Sequence, residues 1–439
     1  MKIKWIKILL LMILVICLVA CESETTPKKE SPDTSLETTN VEEDIESEEE
    51  IIETEEETPE DETELVVSEQ LDNPVETNPP EADFEPAFEN QTRVNGVRTV
   101  TEYSVEKIAE GLDSPWGISP LNDGSFAITQ KSGTMKILSV DGELSKDITG
   151  FPEVDSNGQG GLLDVTADTD FDSSRLLYFT FSEPSEEGNL TALGSGILSE
   201  DLQRIEDFQV IYKALPYFNS QGHYGSRVVI DDNGNLFVST GDRMSDENRM
   251  RVQELDNGHG KVVHLTPEGN PVEEGPFDSE IYSLGHRNIQ GLSIHPETGE
   301  LWASEMGPRG GDELNLIQPG KNYGWPLVSY GIEYSGSSVG EGISQMEGME
   351  EAVYYWDPVI APSGMTFYSS NEMPEWQNNL FIGGLRGQHI SRLIIEDNRV
   401  VGEERLLSDL GERFRDITVG ADGKLYTITD SGNVYKIGK

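Results

Sequence analysis

One short pattern recurs along this chain and restricts its fold more than any other feature. A tight turn ends in glycine, and a five-residue run of alternating character follows. Asn122-Asp123-Gly124 precedes Ser125–Thr129, Asp232-Asn233-Gly234 precedes Asn235–Ser239, Glu297-Thr298-Gly299 precedes Glu300–Ser304, and Ala421-Asp422-Gly423 precedes Lys424–Ile428. Glycine takes positive φ without steric cost, and runs of this kind at period two read as strands. A second turn and strand follow at Ser132–Leu138 and Ser431–Ile437. A hairpin repeated at both ends of a segment and twice between, without helical stretches, predicts an all-β repeat fold. The expectation is a six-bladed β-propeller with four-stranded antiparallel blades over residues 94–439. Two separate β-sandwiches are the alternative.

The N-terminus has a different character. Lys2, Lys4 and Lys7 precede an apolar run from Ile8 to Ala20. That run is short for a membrane span and reads as a signal peptide over residues 1–20. It ends in Leu18-Val19-Ala20-Cys21, which resembles the bacterial lipobox, so Cys21 is expected to carry lipid. An ordinary signal peptide or an anchor helix is the other reading. Cys17 lies inside the segment to be removed, and the chain has 2 Cys, so no disulfide is expected. Residues 21–93 are dominated by Glu, Thr, Ser, Asp and Pro and hold about half of the net charge of -51. Such a composition predicts a disordered acidic tether. The expected location is extracytoplasmic, on the outer face of a bacterial cell membrane, with the lipid as the only membrane contact. The charge excludes nucleic acid and anionic head groups as partners.

The loops between strands carry unusual residues. His223, one of 6 His, lies in Gln221–Arg227. Arg287 and Asn288 close Gly285-His286-Arg287-Asn288. Gly307, Pro308, Asp312 and Glu313 lie in Glu305–Asn315, and Tyr323 lies in Asn322-Tyr323-Gly324-Trp325-Pro326. Arg386, Arg413 and Arg415 sit in loop-like or strand-edge positions. A neutral imidazole suits proton abstraction near neutral pH, although a lone loop His is more often structural. Guanidinium forks pair bidentately with carboxylates, but an acidic chain also uses arginines in surface ion pairs.

With these segments stand Pro115-Trp116-Gly117, Gly158–Asp164, Ala361-Pro362-Ser363-Gly364 and Arg413–Asp416. Together, in order from Leu112 to Ile437, they resemble the soluble pyrroloquinoline quinone (PQQ)-dependent glucose dehydrogenase and aldose sugar dehydrogenase family. The resemblance implies oxidation of aldose sugars at the anomeric C1 hydroxyl to lactones, with PQQ and Ca²⁺ as cofactors. No C-x-x-C-H haem motif is present, so an external acceptor is expected to take the electrons. By resemblance His223 is the general base, and Arg287 and Asn288 hydrogen-bond the quinone oxygens. Arg413 and Arg415 contact the cofactor's plane and carboxylates. Arg386 falls where the soluble glucose dehydrogenase has lysine. The carbonyls of Gly307 and Pro308 match those that hold the catalytic calcium. Asp312, Glu313, Tyr323, Ser329 and Glu333 look like a second, structural calcium site. Gln159 matches a substrate-contacting Gln, and Trp356 or Tyr355 could stack on a sugar. Gly222 stands where the glucose enzyme has an acidic residue, so the glucose preference does not carry over. Two other functions use similar parts: a calcium-dependent lactonase-like hydrolase, and a glycan-binding surface propeller without redox activity.

Overall fold

The computed structural model describes residues 67–439 apart from Glu274; the signal peptide, Cys21 and the tether up to residue 66 lie outside the described residues. Six blades surround a central channel. Blade 1 has strands Pro115–Pro120, Phe126–Gln130 and Thr134–Leu138, with an isolated bridge from Met135 to Ile148 at its outer edge. Blade 2 comprises Leu162–Ala167, Leu176–Ser185, Gly188–Leu198 and Ile205–Lys213. Blade 3 comprises Gly225–Ile230, Leu236–Thr240, Lys261–Leu265 and Ile281–Leu284. Blade 4 comprises Ile289–Ile294, Leu301–Glu305, Asp312–Ile317 and Tyr354–Trp356. Blade 5 comprises Pro362–Phe367, Leu380–Gly384, Ile390–Glu396 and Arg399–Leu406. Blade 6 takes Phe414–Val419, Leu425–Thr429 and Val434–Gly438 from the C-terminus and Ser104–Ala109 from upstream of blade 1. Ser104 pairs with Gly438 and Val105 with Ile437, so the two ends of the propeller are stitched into one sheet.

The four turns read from the sequence occupy one equivalent place. Each joins the innermost strand of a blade to its second strand, in blades 1, 3, 4 and 6. Gly124, Gly234, Gly299 and Gly423 have φ of +84°, +81°, +71° and +73°, a region in which a side chain would be strained. The alternation that follows sends successive residues to opposite neighbours. Leu236 and Val238 pack towards blade 2, while Phe237 packs towards blade 4. Leu301 and Ala303 pack towards blade 3, while Trp302 packs towards blade 5. Period two thus fills the core on each side of every blade, and burial of this apolar surface holds the ring together.

The domain starts earlier than its composition indicated. Residues 67–93, expected in the tether, pack on the propeller. Strands Glu69–Pro74 and Asn95–Arg98 extend blade 5 to 6 strands. The Asp357 carboxylate accepts backbone N–H groups of Glu81, Ala82 and Asp83 at 2.7, 2.9 and 3.2 Å. The fully buried Gln91 donates to the Ala352 carbonyl at 2.8 Å. Long-range polar partners therefore order a segment with little apolar surface, which a local composition does not reveal.

Candidate active site

The residues that line the mouth lie near where an innermost strand begins or a second strand ends. Gln159, His223, Arg287, Asn288 and Arg413 lie just upstream of innermost strands, whereas Lys131, Asp242, Met306 and Asp430 lie just downstream of second strands. Antiparallel pairing brings these ends to one mouth of the channel.

A buried ion cluster forms the floor. Arg227 Nη1 donates to Asp164 at 2.7 Å and to Asp416 at 2.8 Å, and its Nε donates to the Gln290 carbonyl at 2.6 Å. Its guanidinium lies 4.2 Å from the centre of the Trp116 ring. The two carboxylates also accept backbone N–H groups from Val228, Ile118 and Ile417. A Cβ on Gly364 would overlap the Asp416 carboxylate, and one on Gly117 would crowd Asp164. The segments Pro115–Gly117, Gly158–Asp164, Ala361–Gly364 and Arg413–Asp416 thus share a physical purpose: they build this knot. Burial pushes Asp164 up to about 6 despite the neighbouring Arg227.

Above the floor His223 Nδ1 faces Asp242 Oδ1 at 2.7 Å. Asp242 also accepts the Trp325 indole N–H at 2.8 Å and the Met244 backbone N–H at 2.7 Å. These donors keep Asp242 ionised: burial pushes its pKa up, but His223, Arg287 and the hydrogen bonds hold it below the ordinary value. The carboxylate takes Nδ1–H and leaves Nε2 as the lone-pair nitrogen. Among the described residues Nε2 makes no hydrogen bond. Burial and then the Arg287 charge lower the His223 pKa, against the pull of Asp242. The backbone at His223 has φ +46°, outside the usual range for an L residue. Two groups hold it there. Gln159 Oε1 accepts the His223 N–H at 2.8 Å, and Arg243 donates to the carbonyls of Gly222 and His223 at 2.7 and 3.2 Å.

Arg287 is buried and donates from Nη1 to the carbonyls of Met306 and Gly307, both at 2.8 Å. Among the described residues its buried Nε has no partner. Glu305 fixes the turn beneath it by accepting the backbone N–H groups of Arg287 and Asn288 and by facing His286 Nδ1 at 3.1 Å. Asn288 Oδ1 accepts the Gly225 N–H at 3.1 Å, which joins this turn to the His223 loop.

A cleft of about 290 Å³ opens between blades 1, 2, 4, 5 and 6, lined by Trp116, Lys131, Gln159, Met306, Arg413 and Arg415 among others. Asp430 anchors both arginines: Arg413 Nε at 2.8 Å, and Arg415 Nε and Nη2 at 2.8 and 3.1 Å. Lys131, Arg413 and Arg415 outnumber Asp430 by 3 to 1, so this spot is positive in a chain of net charge -51.

Gly307, Pro308, Glu313, Tyr323 and Ser329 border one small cavity of about 20 Å³, together with Gly285, Glu305 and Trp325. The sequence-based expectation of two separate calcium sites divides them differently. Burial, then the charge of Glu305, pushes Glu313 up to about 8. Glu305 and Glu313 give this cavity two carboxylates, the donor type a hard cation takes, and Arg287 lines it as well, with its Nη1 on the Gly307 carbonyl. Among the described residues no group of three or more His, Cys, Asp or Glu is arranged to hold a metal.

Five expected positions go elsewhere. Asp312 accepts the backbone N–H groups of Gly307 and Ala361 at 2.8 and 2.7 Å; adjacent strand residues point to opposite faces, so it turns away from the cavity that Glu313 lines. Glu333 pairs with Arg249 at 2.5 Å. Arg386 points to Glu81 at 3.4 Å, away from the cleft. Trp356 is a core residue, 3% exposed, with its N–H on Glu403 at 3.2 Å. Tyr355 is equally committed, stacked on Tyr330 at 4.2 Å. Asp242, Arg243, Glu305, Lys131 and Asp430 escaped the sequence reading. Their one shared signal is a place just downstream of a second strand or, for Glu305, at its end.

A base oriented by a carboxylate, at the mouth of a propeller channel and near a positively charged cleft, is equipment for moving a proton beside a bound anion. The chain belongs to the glucose/sorbosone dehydrogenase family, whose model matches residues 112–436. It is 39% identical over 345 residues to the aldose sugar dehydrogenase YliI of Escherichia coli, covering 76% of this chain and 92% of that one. It is 28% identical to quinoprotein glucose dehydrogenase B of Acinetobacter calcoaceticus, covering 75% of this chain and 86% of the relative. The apo structure of the soluble E. coli aldose sugar dehydrogenase superposes with a TM-score of 0.73, at 38% identity, covering 77% and 99% of the two chains. The PQQ-bound aldose sugar dehydrogenase of Streptomyces coelicolor superposes with a TM-score of 0.64, at 26% identity, covering 77% and 98%.

Proposed function

We propose that this chain oxidises aldoses at the anomeric hydroxyl to lactones, using PQQ and Ca²⁺, and passes the electrons to an external acceptor. The observation that carries this reading is the His223–Asp242 pair, with Nε2 free, placed with Arg287 at the mouth that Lys131, Arg413 and Arg415 make positive. PQQ is a tricarboxylate, and this cluster supplies the counter-charges it needs. When bound, PQQ supplies the two-electron acceptor that takes the C1 hydride. His223 Nε2 takes the hydroxyl proton as the C1=O bond forms, and Asp242 stabilises the imidazolium. Arg287, held on the Met306 and Gly307 carbonyls, brings a fixed positive charge to the same mouth, where it favours negative charge developing on the oxidant. Gly307, Pro308 and Glu313, which border the small cavity, are the residues that would hold calcium, and the ion would supply Lewis-acid polarisation there. Gln159 fixes the His223 backbone, and Trp116 gives the cleft an aromatic wall.

The full-length chain, stripped of metal and cofactor and then mixed with PQQ and Ca²⁺, should reduce a dye when given aldoses and should release lactone. Omitting either addition should abolish the reaction. No reduction with any aldose, and no PQQ binding, would favour a glycan-binding propeller.

The N-terminal pattern supports a proposed location: residues 1–20 would export the chain, and Cys21 would anchor it by lipid to the outer face of the bacterial cell membrane. Replacing Cys21 with Ser should move the chain from the membrane fraction to a soluble one. Retention of the variant in membranes would refute the lipid anchor.

A further inference from the structure

The cleft holds a cation that neither its local sequence nor its neighbours advertise. Lys131 follows the second strand of blade 1, and its ammonium donates to the Gly158 carbonyl at 2.7 Å. We infer that Lys131, and not Arg386, is the third cation of the cofactor-binding cleft, completing with Arg413 and Arg415 a receptor for a tricarboxylate. This rests on the PQQ reading above.

Three observations carry it. The first is placement. Lys131, Arg413 and Arg415 line the same cleft as Gln159 and Trp116, whereas Arg386 lines a different hollow with Glu76, Glu81, Arg309 and Arg405. The second is charge. The Asp430 carboxylate is taken up by Arg413 and Arg415, and the hydrogen-bond partner of Lys131 is a neutral carbonyl. Burial and the Arg415 charge both lower the Lys131 pKa, a cost that a bound anion would reverse. The third is construction. The Lys131 N–H donates to the Ser114 carbonyl at 3.1 Å, and the Lys131 carbonyl accepts the Leu162 N–H at 3.3 Å. Gly161 has φ +139°, and a Cβ there would overlap the Lys131 carbonyl. The Gly158–Asp164 segment that delivers Gln159 therefore also seats Lys131.

Arg386 has a separate employment. Its side chain is 59% exposed and faces Glu81, which also binds Arg309. Glu81 lies in the N-terminal segment, upstream of the residues matched by the family model. This segment holds Arg386 at the outer rim, away from the cleft in which the family resemblance implies a cofactor contact.

The test is a binding titration of the full-length chain, free of metal and cofactor, with PQQ in the presence of Ca²⁺. Lys131→Met and Lys131→Gln should each raise the PQQ Kd about tenfold, Lys131→Arg should bind nearly as wild type, and Arg386→Met should change Kd less than about twofold. Wild-type affinity in both neutral variants of Lys131 would overturn the inference, as would an equal or larger loss in Arg386→Met. Absence of saturable binding in the wild type would instead bring down the cofactor reading, and this inference with it.

Discussion

A glutamine at position 223 should lower kcat for aldose oxidation by about 10²–10⁴-fold while the fold and PQQ binding persist. The effect is large because one atom, Nε2, is asked to receive the proton, and a carboxamide cannot do so. His223→Gln keeps the side chain's size and its ability to meet Asp242. The pH dependence gives an independent check. Burial and Arg287 hold His223 below its ordinary pKa of 6.5, so the neutral base persists through neutral pH and kcat/KM falls only on the acid side. Asp242 raises that pKa. Asp242→Asn should therefore move the acid limb to still lower pH and at the same time reduce kcat, because the imidazolium loses its counter-charge. Steady-state kinetics between acid and neutral pH would show both. An unchanged kcat in His223→Gln would remove His223 from the reaction.

Arg227→Met should cost about 3–5 kcal/mol of stability, the largest loss expected for a single side chain here. The methionine fills similar space but leaves Asp164 and Asp416, both buried and 2.7 and 2.8 Å from the lost nitrogen, without their cation. Burial already holds Asp164 at about 6 with Arg227 present. Without it both carboxyls should titrate higher in the folded state than in the unfolded state. A carboxyl raised in this way makes the fold lose stability as pH rises, so the variant should be weakest at neutral and alkaline pH. It should recover as pH falls towards the ordinary aspartate value of 3.8. Urea denaturation at several pH values measures this. A midpoint equal to wild type at neutral pH would show that the knot does not hold the channel floor.

The blades were legible because their signals are local. A glycine turn and five alternating residues specify a hairpin, and the structure sets all four examples at the same place in their blades. The bases and cations of the site were legible as unusual loop residues, and the structure gathers His223, Gln159, Arg287, Arg413 and Arg415 around one mouth. What stayed hidden depends on partners distant in sequence. Asp242 becomes a functional group only through His223 and Trp325, the latter 83 residues away. Trp356 is expected from the sequence to stack on a sugar, yet Glu403 from the next blade takes its N–H and holds it in the core. Residues 67–93 look like tether, yet Asp357, more than 270 positions later, orders their backbone. Arg386 illustrates the same limit from the other side. Its charge suggested a role, but a glutamate 305 residues earlier decides where it points.

The central claim is that guanidinium and ammonium groups near His223 form an anion receptor in an otherwise negative molecule. Calorimetric titration of the cofactor-free chain with PQQ, repeated at increasing salt and with Arg413→Gln/Arg415→Gln, measures this directly. The account predicts one PQQ per chain, a Kd that rises with ionic strength, and loss of binding in the double variant. Binding that ignores both salt and the two arginines, or no binding at all, would contradict it.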